Sequence, residues 1–94
     1  MTNKNNTDHW IARADHITSA DAEYKDGSAH AAVGCHSKAA EAFVRAARHY
    51  RTSGLCLMAR DTLRLSGEWF LLADLPLRAR NCFCCADRLE VYYE

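Results

Sequence analysis

Proline occurs once in this chain, at position 76, and glycine four times, at 27, 34, 54 and 67. In a helix interior glycine costs about 1 kcal/mol relative to alanine and proline about 3 kcal/mol, so their scarcity leaves long stretches free to be helical. Valine and isoleucine together number five, too few to furnish the β-branched faces of a sheet. No apolar run approaches the roughly 20 residues that span a bilayer. The opening MTNKNNTDH is polar and lacks the apolar centre of a signal peptide. Gly-rich phosphate loops, paired-carboxylate motifs and nucleophile elbows are all missing. These absences argue against a sheet fold, a membrane span and the commoner catalytic scaffolds. They lead us to expect a cytoplasmic protein that is not an enzyme and needs no cofactor.

Charge of one sign is missing too. Twelve basic and twelve acidic side chains cancel, and the pI is near 6.9, below that of most nucleic-acid-binding domains. The cancellation hides an uneven spread. Residues 1–30 carry three basic and five acidic groups, residues 31–80 eight and four, residues 81–94 one and three. The middle of the chain could therefore turn a basic face toward an acidic partner.

What the chain has in abundance is alanine, sixteen of its 94 residues. Alanine is the best helix former, and a stripe of it lets a second helix approach closely. The densest stretch is Cys35 to Tyr50. Its main stripe is Ala32, Cys35 or His36, Ala39, Phe43, Ala46 and Tyr50, with Ala40, Val44 and Ala47 widening it to two faces. A helix with two apolar faces has neighbours on both sides.

Four helices are expected, following a lead-in at 1–7 without fixed structure, and they form a single domain over 8–94. The first runs from Asp8 to Asp26 on a stripe of Trp10, Ala14, Ile17, Ala20 and Tyr24, with Gly27 just past its end. Ser28 N-caps the second, which ends near Arg51. The third runs from Leu55 to Ala73 with Met58, Thr62, Leu65, Trp69 and Leu72 in a heptad-like row, Gly67 interrupting it. Pro76 opens the fourth, which extends to Tyr93. Short connections make successive helices antiparallel, giving two helical hairpins in an all-α bundle. Trp10 and Trp69 are expected in the core, with one ring of Tyr92-Tyr93 inside and one outside.

Leu63, Gly67, Phe70, Ala79, Phe83 and Ala86 fall at the spacing of a tetratricopeptide repeat, which the second hairpin resembles. The step that carries Gly67 back to Gly34 also carries Ala79 to Ala46 and Phe83 to Tyr50, but Leu63 to His30 and Phe70 to Ser37. A second resemblance covers Arg13 to Ala79. Arg13-Ala14-Asp15, Cys35-His36 with Lys38-Ala39-Ala40, and Arg60-Asp61 are similar to the MIT domain of an autophagy adaptor. MIT domains are three-helix, tetratricopeptide-like bundles that bind partner helices. The resemblance implies a subunit-binding role in the class III phosphatidylinositol 3-kinase complex. The stretch Glu23 to Ala32 is longer than that family's first turn, and Pro76 with the cysteine-rich fourth helix has no counterpart there.

Five cysteines, at 35, 56, 82, 84 and 85, are an odd number, which argues against a disulfide framework. Cys35 and His36 could meet Cys82 and Cys85 as a four-ligand zinc set. Adjacent helical residues point about 100° apart, however, and Cys82 and Cys85 also suit a helix–helix seam with Cys84 facing out. No histidine can be tied to a cysteine as a catalytic base. The preferred expectation is therefore a protein-interaction adaptor that holds a partner helix or peptide in an apolar groove. Arg45, Arg48, Arg60 and Arg64 would rim the groove, and Phe70 would either pack inside or anchor the partner. The alternatives are a homodimer sharing its second apolar face, the metal-binding module and, least favoured, a nucleic-acid binder.

Overall fold

Three turns of one kind organise the chain. They join α1 (Lys4–Ala32), α2 (His36–Thr52), α3 (Cys56–Leu72) and α4 (Pro76–Arg88) in a computed structural model that describes residues 4–89, with side chains described from Ala12 onward. In each turn the chain enters the left-handed region once, at Gly34 (φ 79°), Gly54 (φ 82°) and Asp74 (φ 60°). The following amide reaches back along the preceding helix, from Cys35 to His30 O, Leu55 to Tyr50 O and Leu75 to Phe70 O, each at 2.9 Å. The left-handed residue itself donates to Ala31, Arg51 or Leu71 at 3.0–3.1 Å. This is the Schellman arrangement, which satisfies helix-end carbonyls with backbone alone. Its last residue at once N-caps the next helix, and none of these caps uses a side chain. Leu55 packs beside Tyr50 and Leu75 beside Phe70, the apolar contact that accompanies the motif.

The turns repeat at the interval from Gly34 to Gly54, and so does the packing. Ala39, Ala59 and Ala79 are equivalent and buried, as are Ala46, Ser66 and Ala86. Phe43, Leu63 and Phe83 form a third set, and Gly27, Ala47 and Gly67 a fourth. A Cβ on Gly27 would stand 2.8 Å from Phe43, and one on Gly67 2.6 Å from Phe83. Each glycine is therefore a seat for an aromatic ring on the following helix. The hairpin period is the interval from Gly27 to Gly67, not the shorter expected one from Gly34 to Gly67, and it exceeds the roughly 34 residues of a tetratricopeptide repeat. The shorter step failed because it paired Gly67, a mid-helix seat, with Gly34, a turn residue.

The same seat explains why α1 does not stop at Asp26. Gly27 is needed inside the helix, and the chain turns only at Gly34, so Ser28 is helical and Cys35 caps α2. The long stretch from Glu23 to Ala32 is helix, not loop. Gly67 likewise does not interrupt α3. Of the lead-in expected at 1–7, residues 4–7 fall inside α1, while residues 1–3, the side chain of Trp10 and both Tyr92 and Tyr93 lie outside the described residues.

Successive helices pack as antiparallel neighbours, α2 against α1 and α3, and α3 against α4. Ala20 of α1 joins Ala59 of α3 in one core cluster with Ala46 and Tyr50. Glu41 of α2 meets Arg78 of α4 at 3.1 Å. The helices therefore zigzag, α1 and α3 in one layer and α2 and α4 in the other. The core is built from small residues: Ala39, Ala40, Ala42, Ala46 and Ala47 are all buried on α2, as the two-faced stripe requires. On α1 the expected stripe holds at Ala20 but not at Ala14 or Tyr24, which are exposed. On α3 the heptad-like row meets the buried face only at Thr62. Ala59, Thr62, Ser66, Gly67 and Phe70 turn inward, while Met58 and Leu72 are 45% and 61% exposed. Close helix approach leaves room for small side chains and displaces the large ones to the rim.

Candidate functional site

The two-layer arrangement leaves a furrow where α2 and α4 run side by side above α3. Its α2 wall carries Glu41, Val44, Arg45 and Arg48, its α4 wall Arg78, Asn81 and Cys82, and Phe70 lies between them around a cavity of about 450 Å³. A second cavity of about 240 Å³ shares Val44, Arg48, Asn81 and Cys82, and extends the furrow to Ala47, Arg51, Leu63 and Cys85. The floor is apolar because α3 contributes only Leu63 and Phe70 to it. One groove results, apolar below and cationic along its edges.

The cations are not equally available. Arg45 Nε donates to Glu23 at 2.9 Å, and a terminal nitrogen lies 3.6 Å from Asp26. Arg78 binds Glu41 and lies with its guanidinium carbon 5.7 Å from the centre of the Phe70 ring. Arg48 and Arg51 make no ion pair among the described residues, and both are exposed on the α2 edge. The layers differ in charge as well. The sequences of α2 and α4 hold seven basic and two acidic residues, those of α1 and α3 five basic and seven acidic.

The expected rim is therefore split. Arg48 lies in the groove and Arg45 at its edge, tied to α1. Arg60 and Arg64 do not line it; the first is near Asp61 and the second near Asp87, both at 3.7 Å. Phe70 is 4% exposed, a floor residue and not a protruding anchor. Sequence reasoning missed Arg51 and Arg78 as rim residues. Arg78 stands one full hairpin period after Lys38, so the true repeat would have placed it beside α2.

The four ligands considered for a metal are not brought together. Cys35 sits exposed in the first turn, and the ring of His36 lies 5.4 Å from that of Trp69. Cys82 lines cavities with Val44 and Arg48 of α2, and Val44 lies nine residues, roughly 13 Å of helix, beyond Cys35. Among the described residues no three His, Cys, Asp or Glu side chains are grouped to hold an ion. Cys82 fills the seam, and Cys84 faces out, but Cys85 is exposed toward the groove.

Two polar pairs tie α1 to α2. His16 Nδ1 and His49 Nδ1 are 3.0 Å apart, so one ring carries its proton there and the other accepts it. Tyr50 donates from its hydroxyl to Asp21 at 2.7 Å. Burial, that hydrogen bond and the Asp21 charge push the Tyr50 phenol up to about 12. No protein-family model, curated protein or solved structure matches the chain. No helix among the described residues is long and apolar enough to cross a membrane.

Proposed function

We propose that the chain is a non-enzymatic protein-interaction domain, tetratricopeptide- or MIT-like in kind, that holds a partner helix in the α2/α4 groove. The observation that carries this reading is the apolar floor of Leu63 and Phe70 beneath Arg48 and Arg51, two edge cations without acidic partners among the described residues. An amphipathic helix would lay its apolar stripe on that floor and set acidic residues against the arginines. The charges would speed encounter and choose among partners more than they would tighten the complex. The MIT-like character directs the search for the natural partner to autophagy and vesicle-trafficking complexes.

The test is a titration of the isotope-labelled protein with a synthetic amphipathic helix bearing leucines on one face and glutamates on the other. Amide shifts are expected at Val44, Ala47, Leu63 and Cys82, with affinity falling about tenfold or more when Arg48 and Arg51 are both reversed to Glu. Shifts confined to the α1/α3 layer, or equal affinity after reversal, would overturn the reading. A duplex DNA probe that binds more tightly than the peptide would transfer the groove to nucleic acid. Exposed Leu57 and Met58 near the start of α3, with exposed Leu71 and Leu72 at its end, favour a second reading, a homodimer joined through apolar contacts there. Light scattering at micromolar concentration decides it, since a monomer excludes an obligate dimer.

A further inference from the structure

The narrower end of the groove sets two thiols against two cations. Cys82 and Cys85 stand on the α4 wall, Arg48 and Arg51 on the α2 wall, and Val44, Ala47 and Leu63 close the cavity between them. Positions three apart on a helix have Cα atoms about 5 Å apart, inside the range a disulfide bridges, but Cβ atoms about 5–6 Å apart against the roughly 3.5–4.5 Å of a disulfide, so closing a bridge draws the last turn of α4, where Cys85 lies, out of regular helix. The two thiols differ in environment. Cys82 is 7% exposed, whereas Cys85 is exposed. Burial, with a smaller contribution from Cys85, raises the Cys82 thiol above its ordinary value. Cys85 is therefore the thiol that an incoming disulfide meets first.

We infer that Cys82 and Cys85 form a dithiol modification site that takes small, carboxylate-bearing disulfides, whose anionic groups dock on Arg48 and Arg51. In the first step the Cys85 thiolate attacks one sulfur of the disulfide. The old S–S bond breaks, a mixed disulfide forms on Cys85, and the departing thiolate carries the electron pair and takes a proton from water. In the second step Cys82 loses its proton to solvent and attacks the Cys85 sulfur. That closes a Cys82–Cys85 disulfide and releases the second small thiol. The pair of protein thiols is oxidised, and the added disulfide is reduced to two thiols. The second step is the slower one, because the buried thiol is the more reluctant to ionise. The site depends on the shape and charge of the groove and not on any partner helix.

The test treats the reduced full chain with oxidised glutathione, quenches at intervals and maps adducts by peptide mass spectrometry. Cys35 and Cys84 are exposed but outside the groove, so they are internal controls. The adduct is expected on Cys85 at least fivefold faster than on either control, followed by a Cys82–Cys85 disulfide. Cys82→Ser should stop the reaction at the Cys85 adduct. Reversing Arg48 and Arg51 to Glu should abolish the advantage of Cys85 for oxidised glutathione, and cystamine, a cationic disulfide, should show no such advantage with the wild type. Equal rates at Cys35, Cys84 and Cys85, or an advantage untouched by charge reversal, would overturn the inference. Circular dichroism of each variant establishes that the helices persist.

Discussion

The first hairpin, α1 with α2, and the second, α3 with α4, share a backbone plan and differ in what holds the helices together. Both seat an aromatic ring on a glycine of the preceding helix, Phe43 on Gly27 and Phe83 on Gly67. Around that seat the first hairpin is polar. Arg45 reaches Glu23 and Asp26, Tyr50 reaches Asp21, and His49 meets His16. One hairpin period on from Asp21, Glu23 and His30, the chain has Asp61, Leu63 and Phe70, and the second hairpin closes around Phe70, Trp69, Leu75 and Phe83. Steric fit between a ring and a bare backbone thus fixes where the helices cross, while the surrounding chemistry is free to vary. The variation has a functional side: Glu23 and Asp26 of α1 occupy Arg45, whereas Leu63 and Ser66 stand at the corresponding places in α3, and the α2/α4 groove keeps an unneutralised edge.

Truncating the two rings is the strongest way to break the likeness. Phe43 is 2% exposed, so Phe43→Ala should cost about 3–5 kcal/mol, the usual loss for a buried aromatic. Phe83 is only partly buried, and Phe83→Ala should cost about 2 kcal/mol. Denaturant unfolding of the two variants would check the order, and equal losses would mean that the second ring is as enclosed as the first. The glycine seats give a smaller effect. Gly27→Ala should lose about 2 kcal/mol and Gly67→Ala about 1 kcal/mol, because overpacking outweighs alanine's helix preference and Phe83 has room to swing outward. Stabilisation by both would show that the rings are not held against the backbone.

Alkaline pH should separate the hairpins more gently. A Tyr50 phenol with its folded pKa raised from 10.0 to about 12 favours the folded state while it is protonated. Its contribution is complete below pH 10 and is lost as pH rises from 10 to about 12, on the order of 2 kcal/mol in all. Tyr50→Phe should flatten this part of the stability profile and cost about 1 kcal/mol near neutrality. An unchanged alkaline limb in thermal melts would assign the effect elsewhere. The smallest effect lies in the turns. Asp74 holds the left-handed position that glycine fills in the other two, so Asp74→Gly should stabilise by about 0.5–1 kcal/mol, read as a rise of a few degrees in melting temperature. No rise would mean that the aspartate side chain offsets its own strain.

Much of this was legible in composition and spacing. Alanine content and the lack of breakers pointed to four helices, and Cys35 to Tyr50 announced a helix with neighbours on both sides. The boundaries of α1 were not legible, because a glycine can end a helix or seat a ring, and the two uses look alike until the facing aromatic is known. Laying the chain against itself at the helix step and at the hairpin step would have separated them: Gly34 aligns with Gly54, and Gly27 aligns with Gly67. The shifted buried face of α3 was hidden for a related reason. Periodicity favours large apolar residues as the core, yet close packing admitted Ala59, Ser66 and Gly67 and left Met58 and Leu72 outside.

The sequence by itself determined the all-α class, the antiparallel order and the alanine-lined centre, because helix propensity and short connections are local properties of the chain. It also contained the basic excess between residues 31 and 80. Only the tertiary structure decided which arginines matter. Arg45 and Arg64 acquired acidic neighbours when the helices packed, Arg60 turned away from the groove beside Asp61, its neighbour in the chain, and Phe70 sank into the floor. Arg48 and Arg51 were left on the edge of the groove opposite Cys82 and Cys85. That outcome depends on which faces meet across the layers, and such pairing is a property of three-dimensional fit that no single helix encodes.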